Sequence, residues 1–143
     1  MYVYYCNTIL TTETNNRSDK EMIRAFTELT TDFKSRGINP GLHFMDNEAS
    51  TDLKMAMTTM DIKYQLVTPS NHKANNAERA IQTFKNNSIA GLCSVDKDFR
   101  LQLWDKLLQQ AKISLNILRQ SIIFPRLSAY MHIFGEFDYN RTP

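Results

Sequence analysis

The chain has few of the residues that build small disulfide or metal modules. Cys6 and Cys93 are the two cysteines among its 143 residues, and without a C-x-x-C motif they indicate neither a disulfide framework nor a zinc module. The histidines, His43, His72 and His132, are too dispersed to predict a preformed metal site. No apolar run approaches the ~18 residues of a membrane span, and no signal peptide is visible. We therefore expect an intracellular, soluble protein without a membrane partner.

The chain also has little net charge. The formal net charge is +2, and the basic residues are spread along the chain instead of forming one run, so charge alone does not indicate a nucleic-acid partner. Hydrophobic residues make up 42% and charged residues 22% of the chain, as in ordinary soluble domains. This length predicts a single domain with a real core.

The order of local patterns predicts an α/β layered domain. Ser18 and Glu21 have the spacing of a capping box, and Gly37 supplies a left-handed helix stop. The chain begins inside a β-prone run, which leads us to expect an upstream segment. The predicted elements are a hairpin over 1–12 with its turn at Cys6-Asn7, a helix over 18–36, a strand over 42–46, a helix over 51–60, a strand over 62–67, a helix over 76–93, a helix over 98–121 and a tail over 122–143.

Two carboxylates stand where the predicted elements could bring them together. Asp46 ends a short strand, and Glu78 lies in the first turn of the helix over 76–93, with 31 residues between them. That spacing holds a helix, a strand and a polar loop. Such a pair suits a divalent-metal site for phosphoryl transfer on nucleic acid. Taken singly, Asp46 could be a turn or capping residue, and Glu78 an acid stabilised by the helix macrodipole.

Three short motifs resemble the second and third carboxylate motifs of the integrase catalytic core of retroviruses and LTR retrotransposons: Met45-Asp46-Asn47, Thr68-Pro69 and Asn76-Ala77-Glu78-Arg79. The downstream residues are similar to the family's closing pattern, with Leu103-Trp104-Asp105 followed by Pro125 and by 128–135, which ends in Phe-Gly. The resemblance covers nearly the whole chain. It implies a ribonuclease H-like three-layer fold with a mixed sheet flanked by helices, and a D,D,E triad that holds two divalent metal ions.

The resemblance also implies roles for individual residues. Asp46 and Glu78 would be the catalytic and metal-binding acids, for Mg²⁺ or Mn²⁺ in a two-metal site. The residues implied to bind DNA are Lys73, Asn76, Arg79 and Lys85. The family's first aspartate lies on a first, central strand, and no carboxylate in 1–12 replaces it. We therefore expect a fold without that strand and an incomplete triad, which leaves open whether this chain is an enzyme.

In the intact family the activity is metal-dependent DNA cleavage and strand transfer, that is, DNA integration. The implied partners are the element ends, the target DNA and copies of the chain itself, and the implied location is the nucleus. Two other classes of function stay open: a non-catalytic nucleic-acid-binding remnant, and a small α/β interaction domain whose acids only cap helices. Metal binding by Asp46 and Glu78 separates the integrase interpretation from both.

Overall fold

The computed structural model describes residues 1–45, 49–67 and 76–140. These residues form a mixed α/β structure with five α-helices and two two-stranded sheets. The elements are β1 (Tyr2–Val3), β2 (Thr8–Ile9), α1 (Asp19–Ser35), β3 (Leu42–Met45), α2 (Thr51–Thr59), β4 (Lys63–Leu66), α3 (Asn76–Ser94), a 3₁₀ turn (Leu101–Leu103), α4 (Lys106–Leu118) and α5 (Ala129–Phe134).

The chain divides into two compact units. The hairpin unit comprises Met1–Thr11 and Asn75–Pro143, and the parallel-sheet unit comprises Thr12–Ala74. The first contains β1, β2 and the helices from α3 onwards, and the second contains α1, β3, α2 and β4.

The hairpin is shorter than its β-prone sequence predicts. β1 and β2 pair antiparallel, with Tyr2 opposite Ile9 and Val3 opposite Thr8. The turn takes up the four residues from Tyr4 to Asn7 instead of the two predicted. Asn7 ends it in the left-handed region with φ 57°, which asparagine adopts more readily than most residues. The long turn leaves each strand two residues.

A small apolar cluster joins the hairpin to two helices. Ile9, Ala80 and Leu115 are buried against one another, and Tyr2 and Phe84 pack on them. These side chains come from β2, α3, α4 and β1, so the cluster fixes which faces of α3 and α4 point inward. Burial of such side chains is the main term that stabilises a unit of this kind.

The helix predicted over 98–121 is present in part. Asp96 makes a local turn, because its carboxylate accepts from the Asp98 N–H at 2.8 Å and its carbonyl accepts from the Phe99 N–H at 2.9 Å. Such side-chain bonds compete with the helix, and α4 begins only at Lys106. It ends at Leu118, after which Arg119 is extended with ψ 139°.

In the parallel-sheet unit, α1 has the predicted ends with one correction. Ser18 Oγ accepts from the Glu21 N–H at 3.4 Å, which is half of a capping box. The other half is wrong: the Glu21 carboxylate accepts from the Asn15 N–H at 3.2 Å, since Arg24 also holds it there. Gly37, with φ 77°, makes the predicted stop. The Ile38 N–H donates to the Phe33 carbonyl at 3.0 Å and the Gly37 N–H donates to the Lys34 carbonyl at 3.0 Å, the two bonds of a Schellman motif.

The strands of this unit pair in parallel. Leu42 aligns with Lys63 and Met45 with Leu66. Met45, Met57 and Ile62 form a buried cluster, against which residues of α1 and α2 pack. On the other face of β3, Leu42 is 50% exposed and Phe44 is 56% exposed. A strand that is apolar on both faces is typical of a sheet covered on both sides.

Candidate nucleic-acid and metal interface

The helix α3 carries the described part of the predicted site. Ala80 is buried and Phe84 is half-buried, so this side of α3 faces the apolar cluster with Ile9 and Leu115. At 100° per residue, Glu78 lies about 200° around the helix from Ala80. Glu78 is accordingly exposed.

Glu78 and Lys85 share one exposed face of α3. Lys85 follows Glu78 by seven residues, which brings it back to within about 20° of Glu78, roughly 10 Å further along the axis. Both side chains are exposed. An acid at the helix N-terminus is stabilised by the macrodipole, and a lysine two turns on provides a positive charge on the same side. The metal role of Glu78 and the DNA contact of Lys85, which the integrase resemblance implies, stay predictions.

Asn76 and Arg79 bond to each other in the first turn of α3. The Arg79 Nη2 donates to Asn76 Oδ1 at 2.6 Å, and both residues are exposed. Within the described residues α3 begins at Asn76. The guanidinium has further N–H groups that can donate to a phosphate. The bond to Asn76 holds the guanidinium beside the N-terminal turn.

Asp46 and Lys73 lie outside the described residues. What the structure describes beside Asp46 is the strand that leads to it: β3 ends at Met45, whose carbonyl accepts from the Val67 N–H at 2.9 Å. The proximity of Asp46 to Glu78, and the DNA contact of Lys73, stay predictions.

Of the two acids predicted to bind metal, Glu78 lies within the described residues and Asp46 does not. Across 1–45, 49–67 and 76–140, no group of three or more His, Cys, Asp and Glu side chains could hold a metal ion. The donor chemistry of Glu78 nevertheless fits Mg²⁺ or Mn²⁺, which prefer carboxylate oxygens. Asp46 would supply a second carboxylate of the same kind.

Two histidines make side-chain contacts. His43, on β3, packs edge-on against Phe26 with 5.3 Å between ring centroids, and burial lowers the pKa of its imidazole. His132, on α5, lies with its Nδ1 2.7 Å from Ser121 Oγ. His43 therefore takes part in an aromatic contact and His132 in a side-chain hydrogen bond. His72 is outside the described residues.

A groove that the sequence did not reveal lies between α3 and α4. Its volume is about 660 Å³, and the residues that line it include Lys85, Ser88, Ile89, Trp104 and Leu108. Trp104, which precedes α4, is 52% exposed. Among the described residues, the buried Ser88 Oγ has no hydrogen-bond partner. The sequence feature that could have indicated this groove is Trp104, which lies near the start of an apolar stripe broader than packing against a single helix requires.

No protein-family model matches the sequence, and neither does any curated protein. None of the described helices is long and apolar enough to cross a membrane.

Proposed function

We propose that the chain is part of an integrase-type catalytic core with a ribonuclease H-like fold, which binds DNA along α3. The observation that carries the proposal is the placement of Glu78 and Lys85 on one exposed face of α3, turned away from the buried Ala80. An acid and a base so placed suit a metal ion and a DNA phosphate at neighbouring positions.

The order of elements supports the fold. A hairpin, a helix, a strand, a helix, a parallel strand and a helix follow one another in the order that the resemblance implies. One sheet is antiparallel and the other is parallel. In the proposed fold a central strand lies between the hairpin and β3 and joins the two into one mixed sheet.

The outer edge of β1 also supports it. Tyr2 and Ile9 form a non-hydrogen-bonded pair, in which the N–H and C=O of each residue point away from the other strand. The Asn116 side chain bonds to the N–H and C=O of Ile9. Within the part of the chain that the structure describes, nothing bonds to the N–H and C=O of Tyr2. This edge offers the hydrogen bonds that a neighbouring strand requires.

In this proposal Glu78 and Asp46 hold Mg²⁺ or Mn²⁺. The ion, when bound, would activate the attacking oxygen and stabilise the leaving oxygen of a phosphodiester. Arg79 and Lys85 neutralise phosphates beside it, with Lys73 and Asn76 as further contacts. With Asp46 and Glu78 alone, the affinity for the ion is weak, since two carboxylates supply fewer ligands than three.

A titration with Mn²⁺ tests the metal site. Mn²⁺ binding, followed by electron paramagnetic resonance of the free ion, should weaken severalfold in Glu78→Gln and in Asp46→Asn. The matched control is Asp52→Asn, because Asp52 is an exposed acid in the first turn of α2. If both variants bind Mn²⁺ as the control does, the acids only stabilise local structure and the metal site is rejected.

A further inference from the structure

The groove between α3 and α4 is large enough to hold a small molecule. Its volume of about 660 Å³ lies within the range of ~300–1,000 Å³ that is typical of ligand pockets. Both helices belong to the hairpin unit, and apolar side chains such as Leu92, Leu107 and Leu108 form much of the walls. At Gly91, which also lines the groove, an added Cβ would meet no atom within 4 Å. Such an open, apolar cleft suits a ligand with a flat or apolar body.

Trp104 gives the groove an aromatic surface. It stands just before α4, lines the groove and is exposed. None of the ring–ring contacts among the described residues involves Trp104. An exposed indole of this kind is a platform on which a planar ring can stack. The groove is therefore suited to a planar aromatic ligand.

Asn87 supplies the groove with a side-chain amide that is open to a ligand. It lines the groove from α3 and is half-buried. Within the part of the chain that the structure describes, this amide makes no hydrogen bond. The preceding asparagine differs, because Asn86 Oδ1 accepts from Gln82 Nε2 at 2.9 Å. A free amide offers a hydrogen-bond donor and an acceptor side by side.

Other polar side chains of the groove bond within their own helices. Ser94 Oγ donates to the Gly91 carbonyl at 2.8 Å. Across the groove, Gln110 Nε2 donates to Ser114 Oγ at 3.3 Å. Among the described residues of the lining, the Asn87 amide is thus a half-buried group whose donor and acceptor are both available to a ligand.

We infer that this groove is a nucleobase-binding site that takes adenine. The adenine ring stacks on Trp104, and its major-groove edge pairs with the Asn87 amide. In that pairing the Asn87 Oδ1 accepts from the N6 amino group, and the Asn87 Nδ2 donates to N7. Neither contact involves Glu78, so the site does not depend on the proposed metal site.

The amide selects adenine over guanine. Guanine has acceptors at both O6 and N7 on the same edge, so the carbonyl of Asn87 would face an acceptor and lose its bond. A buried polar group left without a partner weakens binding more than a missing apolar contact does. Adenine therefore binds more tightly than guanine in this groove.

The adenine ring has two possible sources, a free nucleotide and a base turned out of a DNA strand. Lys85 also lines the groove, so a phosphate attached to the nucleoside lies near its positive charge in either case. The base-recognition chemistry is the same for both sources. A single strand of deoxyadenosines that competes with the free nucleoside identifies the strand as a source, and a strand that does not compete identifies the free nucleoside.

The fluorescence of Trp104, the one tryptophan of the chain, measures the binding. Titration with deoxyadenosine should quench it, and Asn87→Ala should raise the dissociation constant about tenfold. Asn86→Ala is the matched control, since Asn86 is exposed and bonded to Gln82, and it should bind as the parent chain does. Should Asn87→Ala fail to fold, which circular dichroism shows, Asn87→Asp gives a second reading because a carboxylate cannot donate to N7.

The choice of base separates recognition by Asn87 from an indirect effect on the fold. Deoxyguanosine should bind the parent chain about tenfold more weakly than deoxyadenosine, and the two should bind Asn87→Ala about equally. Filling the groove with Gly91→Leu should abolish the quenching. Absence of quenching in the parent chain overturns the inference, as do equal affinities of the parent chain for the two nucleosides. Equal effects of Asn87→Ala and Asn86→Ala overturn it as well.

Discussion

Asn116 satisfies both backbone polar groups of Ile9. Its Oδ1 accepts from the Ile9 N–H at 2.9 Å, and its Nδ2 donates to the Ile9 carbonyl at 2.8 Å. Both residues are buried, and 107 positions of sequence separate them. A side-chain amide here replaces the neighbouring strand that Ile9 would otherwise need, and so closes this edge of the hairpin.

Replacing Asn116 by leucine should destabilise the hairpin unit strongly. The substitution leaves a buried N–H and a buried carbonyl without partners, at a cost of about 1–3 kcal/mol for each group. We expect the free energy of unfolding in urea to fall by about 2–6 kcal/mol. Asn86→Leu is the matched control, because Asn86 is exposed on α3. Similar losses in both variants would mean that the bonds to Ile9 contribute little.

The same glycine-to-alanine substitution should have opposite effects at two positions. At Gly37, φ is 77° and no atom lies within 4 Å of an added Cβ, so the cost is backbone strain alone, about 1 kcal/mol. At Gly91, inside α3, the space is also open and alanine is the better helix former, so stability should rise by about 0.5–1 kcal/mol. Thermal unfolding of the two variants measures both, and a loss at Gly91 would contradict the helical placement.

Glu21 should make stability depend on pH. Its bonds with Arg24, and then with the Asn15 N–H, lower the pKa of the Glu21 carboxyl below its ordinary value. The stabilisation is therefore present above the unfolded-state pKa of about 4.3 and is lost as the pH falls through the lower folded-state value. Glu21→Gln should be less stable than the parent chain at pH 7, with the gap closing towards pH 3. A gap that is constant over this range, or as large for the exposed Glu136→Gln, contradicts the role of the bonds.

Local signals predicted both ends of α1, where Ser18 accepts from the Glu21 N–H and Gly37 makes the stop. Ser50 and Ser128 also accept from a backbone N–H three residues on, and the second of them begins α5 inside the segment predicted as a tail. The failures come from side chains that act locally in other ways. Asp96 makes a turn at the start of the helix predicted over 98–121, and Glu21 bonds to Asn15 instead of returning to Ser18.

Contacts between residues that are distant in sequence could not be predicted from local patterns. The spacing of Glu78 and Lys85 on one helix face follows from the helical period alone, and both are exposed as that period requires. The bond between Asn116 and Ile9 has no local signal, since any asparagine in a helix gives the same pattern. The bonds from the N–H groups of Ile122 and Ile123 to the Tyr5 carbonyl likewise join a hairpin turn to a loop from the other end of the chain. Side chains distant in sequence meet only through the packing of whole elements.

The central claim is that the exposed face of α3 binds DNA, and the salt dependence of binding tests it most directly. For a short duplex, Lys85→Ala should reduce the slope of log affinity against log salt by about 0.9, the effect of one lost phosphate contact. Lys20→Ala, an equally exposed lysine on α1, should leave the slope as it is. An unchanged slope for Lys85→Ala, or the same change for Lys20→Ala, would contradict the placement of DNA on α3.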